Sequence, residues 1–343
     1  MLVLVVSDFH LGKGLFLKNG QKNLLEDFDE DERFIEFVDY YCSGEFENEH
    51  IHLVLNGDIL NLIQIDFNGI FTHIMDEEHC LRSLDCIRDG HKNFFESLKK
   101  FLKRPNKKLS YVIGNHDAGM AFEKCQDRFR EIVDGDVTFE LTLEILGVHI
   151  EHGHRFEAIN SVPEEQYFIN GPNGKKILNL PWGSLFCLSI LPKLKKDRPF
   201  IDKVRPMSSY IVWCLLHDIF FFFRMSFVVI RYIIKSNRDE YLSQNRNFKT
   251  TLKILKQITI YPKYEKKARS ILKKNPLLKI VVMGHTHLIE WRKFPGGKIY
   301  FNTGTWNSIP SIDAGAHESN LSLTYVMIDI HEKSKEITSA KMN

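Results

Sequence analysis

Four short apolar runs, Leu2–Val6, His52–Leu55, Leu109–Ile113 and Lys279–Met283, each pass directly into a polar segment rich in glycine, aspartate or histidine. Runs of Val, Ile and Leu without strict alternation read as strands covered on both faces. Side chains placed just beyond such strands gather along one edge of a sheet, where loops can carry chemistry. Helix-like stretches at Glu32–Tyr41 and roughly Glu77–Phe101 separate the first three runs and give a βαβ rhythm. A further helix is expected near Ala121–Val133, then a hairpin from Val137–Thr142 and Leu143–His152, with late strands at Lys298–Phe301 and Leu323–Ile330. The chain is therefore α/β at both ends.

The middle differs. Pro163, Pro172, Pro181, Pro192, Pro199 and Pro206 punctuate it, and long aromatic, basic helix-like stretches follow to about Pro276. From Lys193 to Lys279 there are 21 Lys and Arg against 6 Asp and Glu, a local charge of +15. The whole chain is nearly balanced at +2, so the remainder carries −13: a basic module is set into an acidic body. Six cysteines in 343 residues, Cys42, Cys80, Cys86, Cys125, Cys187 and Cys214, form no CxxC pair and argue for reduced thiols in a cytoplasmic protein. Met1–Val6 lacks a basic leader, and Asp8 cuts it short of the ~7–15 apolar residues of a signal peptide.

The polar segments are Asp8-Phe9-His10, Asn56-Gly57-Asp58, Gly114-Asn115-His116-Asp117 and Gly284-His285-Thr286-His287, with Glu151-His152-Gly153-His154 closing the predicted hairpin. If extended, Asp8 and His10, and likewise His285 and His287, each present two side chains to one point. Carboxylate, imidazole and carboxamide without thiolate suit Mn²⁺, Fe or Zn²⁺. Any one fragment alone is commonly a turn or a helix cap; five in this order, all at strand ends, are not.

The pattern resembles the calcineurin-like metallophosphoesterases, whose signature runs D-x-H, G-D, G-N-H-[DE], H and G-H-x-H. The resemblance covers roughly residues 1–155 and 277–343. It implies a four-layer α/β sandwich, two β-sheets flanked by helices, interrupted by a helical insertion at 156–276. It also implies a dinuclear site, with Asp8, His10 and His287 on one metal, Asn115, His152 and His285 on the other, and Asp58 bridging. His152 is taken as the ligand because the family places it just before glycine; His154 and Arg155 join Asn115 as candidate substrate contacts. His116, oriented by Asp117, is the expected hydrogen-bond or proton donor to the phosphate, a role worth ~10²–10⁴-fold. Two divalent ions, Mn²⁺ first with Fe or Zn²⁺ as alternatives, would activate a bridging water and stabilise charge on phosphorus. Asn302-Thr303-Gly304-Thr305 matches the family's turn after the last histidines and is read as structural.

Tyr210–Ile234 is strongly apolar, but His217, Asp218, Arg224, Ser226 and Arg231 interrupt the ~20 apolar residues a membrane span needs. As one helix it would carry a polar stripe of His217, Arg224 and Arg231 with Phe, Ile and Val round the rest, either packed under other helices or lying in a membrane surface with Phe220–Phe223 and Phe227 turned towards acyl chains. Its basic surroundings, from Lys193, Lys195, Lys196 and Arg198 to Lys235, Arg238, Arg246, Lys249, Lys253 and Lys256, suit an anionic lipid or the inner face of a membrane. An insertion at this position is also similar to that of the UDP-2,3-diacylglucosamine pyrophosphatases. That family, however, usually has arginine in place of His116 and aspartate in place of His154. The expected activity is thus a metal-dependent phosphoesterase. The alternatives are that lipid pyrophosphatase and a phosphoesterase-fold scaffold without turnover. No nucleic-acid-binding motif accompanies the basic residues, so nucleic acid is not the expected partner.

Overall fold

The computed structural model describes residues 1–17, 19–198, 201, 207–237, 263–307, 323–331 and 334–343. In chain order the first half holds β1 (Leu2–Val6), α1 (Asp31–Tyr41), β2 (Ile51–Asn56), α2 (Glu77–Gly90), α3 (Lys92–Leu102), β3 (Lys107–Val112), α4 (Glu123–Val133), β4 (Val137–Glu140), β5 (Leu143–Ile145) and β6 (Val148–Ile150). The middle holds β7 (Phe168–Asn170), β8 (Lys176–Leu178), α5 (Trp182–Ser189), α6 (Leu191–Lys195), α7 (Met207–His217) and α8 (Ile219–Asn237). The last part holds α9 (Tyr264–Lys274), β9 (Ile280–Met283), β10 (Ile289–Phe294), β11 (Lys298–Thr303), β12 (Val326–His331) and β13 (Glu336–Met342).

Besides the antiparallel β7–β8 pair, two large sheets result, and side-chain alternation decides how they stack. The first is ordered β13-β12-β1-β2-β3-β4 with β1 to β4 parallel; the second is ordered β10-β11-β9-β6-β5. Leu2, Leu4 and Val6 of β1 turn to the side packed by α1 to α4, whereas Val3 and Val5 meet Val148, Ile150, Ile280 and Val282 between the sheets. On β9 the alternate residues Val281 and Met283 face the other way, under Tyr264, Ala268 and Leu272 of α9. The layers are helices, sheet, sheet, helix, so the expected pair of sheets flanked by helices is what the chain forms. Each fully buried Val, Leu, Ile or Phe contributes about 1.5–3 kcal/mol.

Three local expectations are corrected. Val137–Thr142 does not form a hairpin with the next strand: β4 pairs parallel with β3 in the first sheet, and the hairpin is β5–β6 in the second. The chain crosses between sheets at Leu141–Thr142, which alternation along either strand cannot reveal. The predicted helix over 77–101 splits at Gly90–His91, where a methyl group on Gly90 would overlap the backbone of Lys13 and Gly14. Tyr210–Ile234 is two helices, because Asp218 ends α7 and its Oδ1 accepts the Phe221 amide at 3.2 Å in the first turn of α8. His217 therefore belongs to a different helix from Arg224 and Arg231.

The described helices of the middle region are not separate from the main core: Leu185, Leu188, Leu191, Leu194, Cys214, Phe221 and Met225 are buried in the same cluster as α1 to α4. Phe221 thus points inward and Phe222 is half-buried, while Phe220, Phe223 and Phe227 stay exposed with Leu216, Trp213 and Ile230. Among the described residues no helix is long and apolar enough to cross a membrane. Arg238, Arg246, Lys249, Lys253 and Lys256 lie outside the described residues.

Candidate metal centre

Asp8, His10, Asp58, His152, His285 and His287, with His116 among them, come together where the ends of β1, β2, β3, β6 and β9 converge. Contrary to the extended reading, the backbone at the two D-x-H and H-x-H pairs is not extended. Asp8, His10, Asp58, His285 and His287 all lie in the left-handed region, with φ of 58°, 55°, 52°, 70° and 61°. Left-handed non-glycine residues are uncommon and cluster at sites where strain is held for a purpose. The surroundings hold them firmly: Thr305 Oγ1 donates to the Asp8 carbonyl at 2.6 Å, and the His285 amide donates to Asp8 Oδ2 at 2.9 Å. Ser7 Oγ donates to the Asp8 carboxylate and lies 2.5 Å from Thr303 Oγ1, while Asn302 Nδ2 donates to the Gly284 carbonyl. The 302–305 segment is structural, as expected.

Three overlapping groups form, each with its ligand atoms within 4.8 Å of one another: Asp8, His10 and His287; His10, Asp58 and His116; Asp58, His152 and His285. His10 Nε2 is 3.0 Å from His287 Nε2 and 3.9 Å from both Asp8 Oδ1 and Asp58 Oδ2. His287 Nε2 is 3.4 Å from Asp8 Oδ1, and His152 Nε2 is 3.1 Å from Asp58 Oδ2. His285 and His287 therefore serve different groups, which the left-handed turn makes possible. Gly57 explains one close approach: a methyl group there would sit 2.5 Å from His152 Nδ1.

The donors fit a pair of divalent ions. His152 Nδ1 donates to the Asn56 carbonyl at 2.9 Å, which aims Nε2 at the centre, where Asp58 Oδ2 lies 3.1 Å away. Asn115 Oδ1 is buried and without a partner. An unpaired buried polar atom costs ~1–3 kcal/mol, and Asp8 and Asp58 are buried carboxylates, so the donor set suits a cation. Charge distribution agrees. Burial lifts Asp8 to about 6 and drives His10 down to about 3, so His10 is neutral and its lone pair available. Against burial, Asp58 and Asp8 lift His152 to about 10, while His152 and His116 keep Asp58 well below the usual carboxylate range. His152 would hold a metal ion through the nitrogen that otherwise carries this proton.

His116 is held differently from expectation. Its Nδ1 pairs with Asn61 Oδ1 at 2.9 Å, while Asp117 is buried behind it and accepts from Tyr111 Oη, the Ile59 amide and the Gly114 amide. Asp117 therefore shapes the loop and does not touch the His116 ring. A directed chain sets the tautomer: Gln64 Nε2 donates to the Cys187 carbonyl, Asn61 Nδ2 donates to Gln64 Oε1, and Asn61 Oδ1 must accept from His116 Nδ1–H. Nε2 of His116 is left for a ligand. Asn61 and Gln64 were missed by sequence reasoning, though Asn61 stands three residues after Asp58.

His154 is buried with Nδ1 unpaired, and burial together with His152 keeps it neutral. It lines a pocket alongside Asn115, Arg155, Tyr167, Leu178 and Leu180. Arg155 reaches that pocket with its guanidinium already engaged by Glu164, Thr142 and Glu151. Lys195, in α6, is fully buried and pairs with Asp27 at 3.4 Å, and Asp27 acts on both His10 and His116 through its charge.

No family model and no curated protein matches the chain. Structural neighbours include phosphoesterases and phosphatases. They include the calcineurin-like phosphoesterase YfkN from Bacillus subtilis, at 12% identity over 100% of this chain and 89% of that one, TM-score 0.37. A dimetal phosphatase from Danio rerio overlaps at 10% identity over 97% and 93%, TM-score 0.36. Vps29 from Chaetomium thermophilum overlaps at 8% identity over 100% and 97%, TM-score 0.33. Overlaps this loose carry no argument about activity, and the reading of the site rests on its own residues.

Proposed function

We propose that the chain is a dinuclear metal-dependent phosphoesterase in which Asp8, His10 and His287 hold one ion, Asn115, His152 and His285 the other, and Asp58 lies between them. The observation that carries this reading is the overlap of the three ligand groups through His10 and Asp58. Two divalent ions supply Lewis acidity to phosphoryl oxygens and a water of lowered pKa. The chain supplies the rest. The His10–Asp58–His152 arrangement fixes the charge that faces the substrate, and His116 presents Nε2 with its Nδ1 proton committed to Asn61. Burial favours neutral His116; an arriving phosphate dianion reverses that preference and lets the imidazolium hydrogen-bond or protonate the leaving oxygen. His154 and Arg155 border the pocket beside Asn115, where the organic part of the ester would rest against Tyr167, Leu178 and Leu180.

Metal analysis and a substrate panel test this. Purified active protein should hold about two transition ions per chain, with Mn²⁺ giving the highest turnover. It should hydrolyse at least one of a phosphomonoester, a phosphodiester or a nucleotide-linked lipid pyrophosphate. Fewer than one ion in active protein would sink the dinuclear reading, and full metal loading without turnover on any substrate would favour the scaffold alternative.

A membrane-associated substrate is a second reading, favoured by the exposed face of α7 and α8. Phe220 is 87% exposed, Leu216 70%, and Phe223 and Phe227 63% each, with Arg224 and Arg231 exposed among them. Apolar insertion and cationic attraction to headgroups act together on such a face. Wild type should co-sediment with anionic vesicles at low salt and release at high salt, since exposed charges are screened over ~8 Å at physiological ionic strength. A Phe220→Glu/Phe223→Glu variant should stay in the supernatant; equal sedimentation of both proteins would end the lipid reading.

A further inference from the structure

Sequence motifs passed over Glu157, an acidic residue three positions beyond the Glu151–His154 segment. It is buried, and three donors converge on it: His285 Nε2 at 3.0 Å and Asn160 Nδ2 at 2.7 Å on Oε2, and Tyr264 Oη at 2.8 Å on Oε1. The Asn160 amide and the Tyr264 hydroxyl both donate to this carboxylate, and as an acceptor it takes the His285 proton on Nε2 and leaves the Nδ1 lone pair for a metal. Asn160 Nδ2 also approaches His285 Nε2, at 3.2 Å, but its shorter bond is to Glu157.

Tyr264 adds a second link. It opens α9, on the far side of the long middle segment from Glu157, and its ring packs on Gly153, where a methyl group would come within 3.1 Å of Cε1. Gly153 separates His152 from His154. The two ends of the segment that starts near residue 156 and returns before residue 277 thus meet against the ligands of one metal position.

We propose that Glu157 is a positioning residue for His285, and that the Glu157–Tyr264 hydrogen bond makes the His152–His285 metal position depend on the two ends of the middle segment staying together. This rests on the dinuclear reading and names what maintains one half of it. The half built from Asp8, His10 and His287 takes its support from Ser7, Thr303 and Thr305 and should not share the dependence.

The test uses full-length, metal-stripped protein titrated with Mn²⁺ alone, followed by electron paramagnetic resonance for bound ion and for exchange coupling between ions. Wild type should take two ions and show coupling. Glu157→Gln can donate to His285 Nε2 and favour the wrong tautomer. It should bind one ion as wild type does and the other ~10–100-fold more weakly, the usual cost of losing such a partner. Tyr264→Phe, which removes one hydroxyl, should shift the same ion in the same direction by less and serves as the deciding variant if Glu157→Gln does not fold. Unchanged affinity for both ions in the folded variants overturns the proposal. A wild type that never takes a second ion instead overturns the dinuclear reading on which it stands.

Discussion

The two halves of the centre are built on different principles. Asp8, His10 and His287 are anchored by neighbouring loops of the two sheets, whereas His285 leans on Asn160 and Glu157, the latter held by Tyr264, and these three come from the margins of the middle segment. One half is complete once the sandwich has formed; the other needs the margins in place. The difference teaches that an insertion in such a chain can support chemistry without contributing a ligand.

The shared residue offers the strongest way to break this contrast. Asp58 lies against His10 on one side and His152 on the other, so Asp58→Asn should disable both halves together. Turnover should fall by at least ~10³-fold, because the Lewis acidity of the pair is worth several kcal/mol, with the far-ultraviolet circular dichroism unchanged. Retention of one fully active ion would mean that the halves are independent.

His116 sharpens the contrast, since it borders the His10–Asp58 group but is oriented through Asn61 and Gln64 from the Cys187 carbonyl. His116→Ala should keep two bound ions and slow turnover by ~10²-fold on an alkyl phosphate, less on a nitrophenyl phosphate whose leaving group needs no proton. Equal losses on both esters would reduce His116 to a positioning role.

A smaller effect is expected behind the first half, where Glu26 accepts the Gly12 and Gly14 amides and faces His91, which also pairs with Asp31 at 2.9 Å. Against burial, these two carboxylates raise His91 to about 9 from 6.5. A raised histidine stabilises the fold fully below its unfolded pKa, and that stabilisation is lost as pH climbs from about 6.5 through 9. It amounts to on the order of 3 kcal/mol. The melting temperature of His91→Gln should therefore fall below wild type at pH 6 and approach it at pH 10. A gap that widens with pH would rule out the charged latch.

What the sequence disclosed follows from chemistry that repeats. The polar segments stood out because rare polar types recur at the ends of apolar runs; the full set of Asp8, His10, Asp58, Asn115, His152, His285 and His287 and the four layers were implied by the resemblance to the metallophosphoesterases that those segments carry. Glu157, Asn61, Gln64 and Tyr264 carry no such mark, because each is a common residue whose partner lies far along the chain. Alternation announced β4 and β5 as strands but could not say that they enter different sheets. The break at Asp218 was hidden because a polar residue in an apolar run reads equally as a stripe or as a cap, and only its bond to the Phe221 amide decides.

The five left-handed residues at the centre have a consequence for inheritance. Each holds a backbone conformation that glycine would adopt at less expense, of order 1 kcal/mol apiece, a cost carried for the side chain that the centre uses. At Asp8 and Asp58 the side chain also accepts backbone amides, so only the three histidines are held by their chemistry alone. A lineage that retains all three histidines is one in which they are still in use.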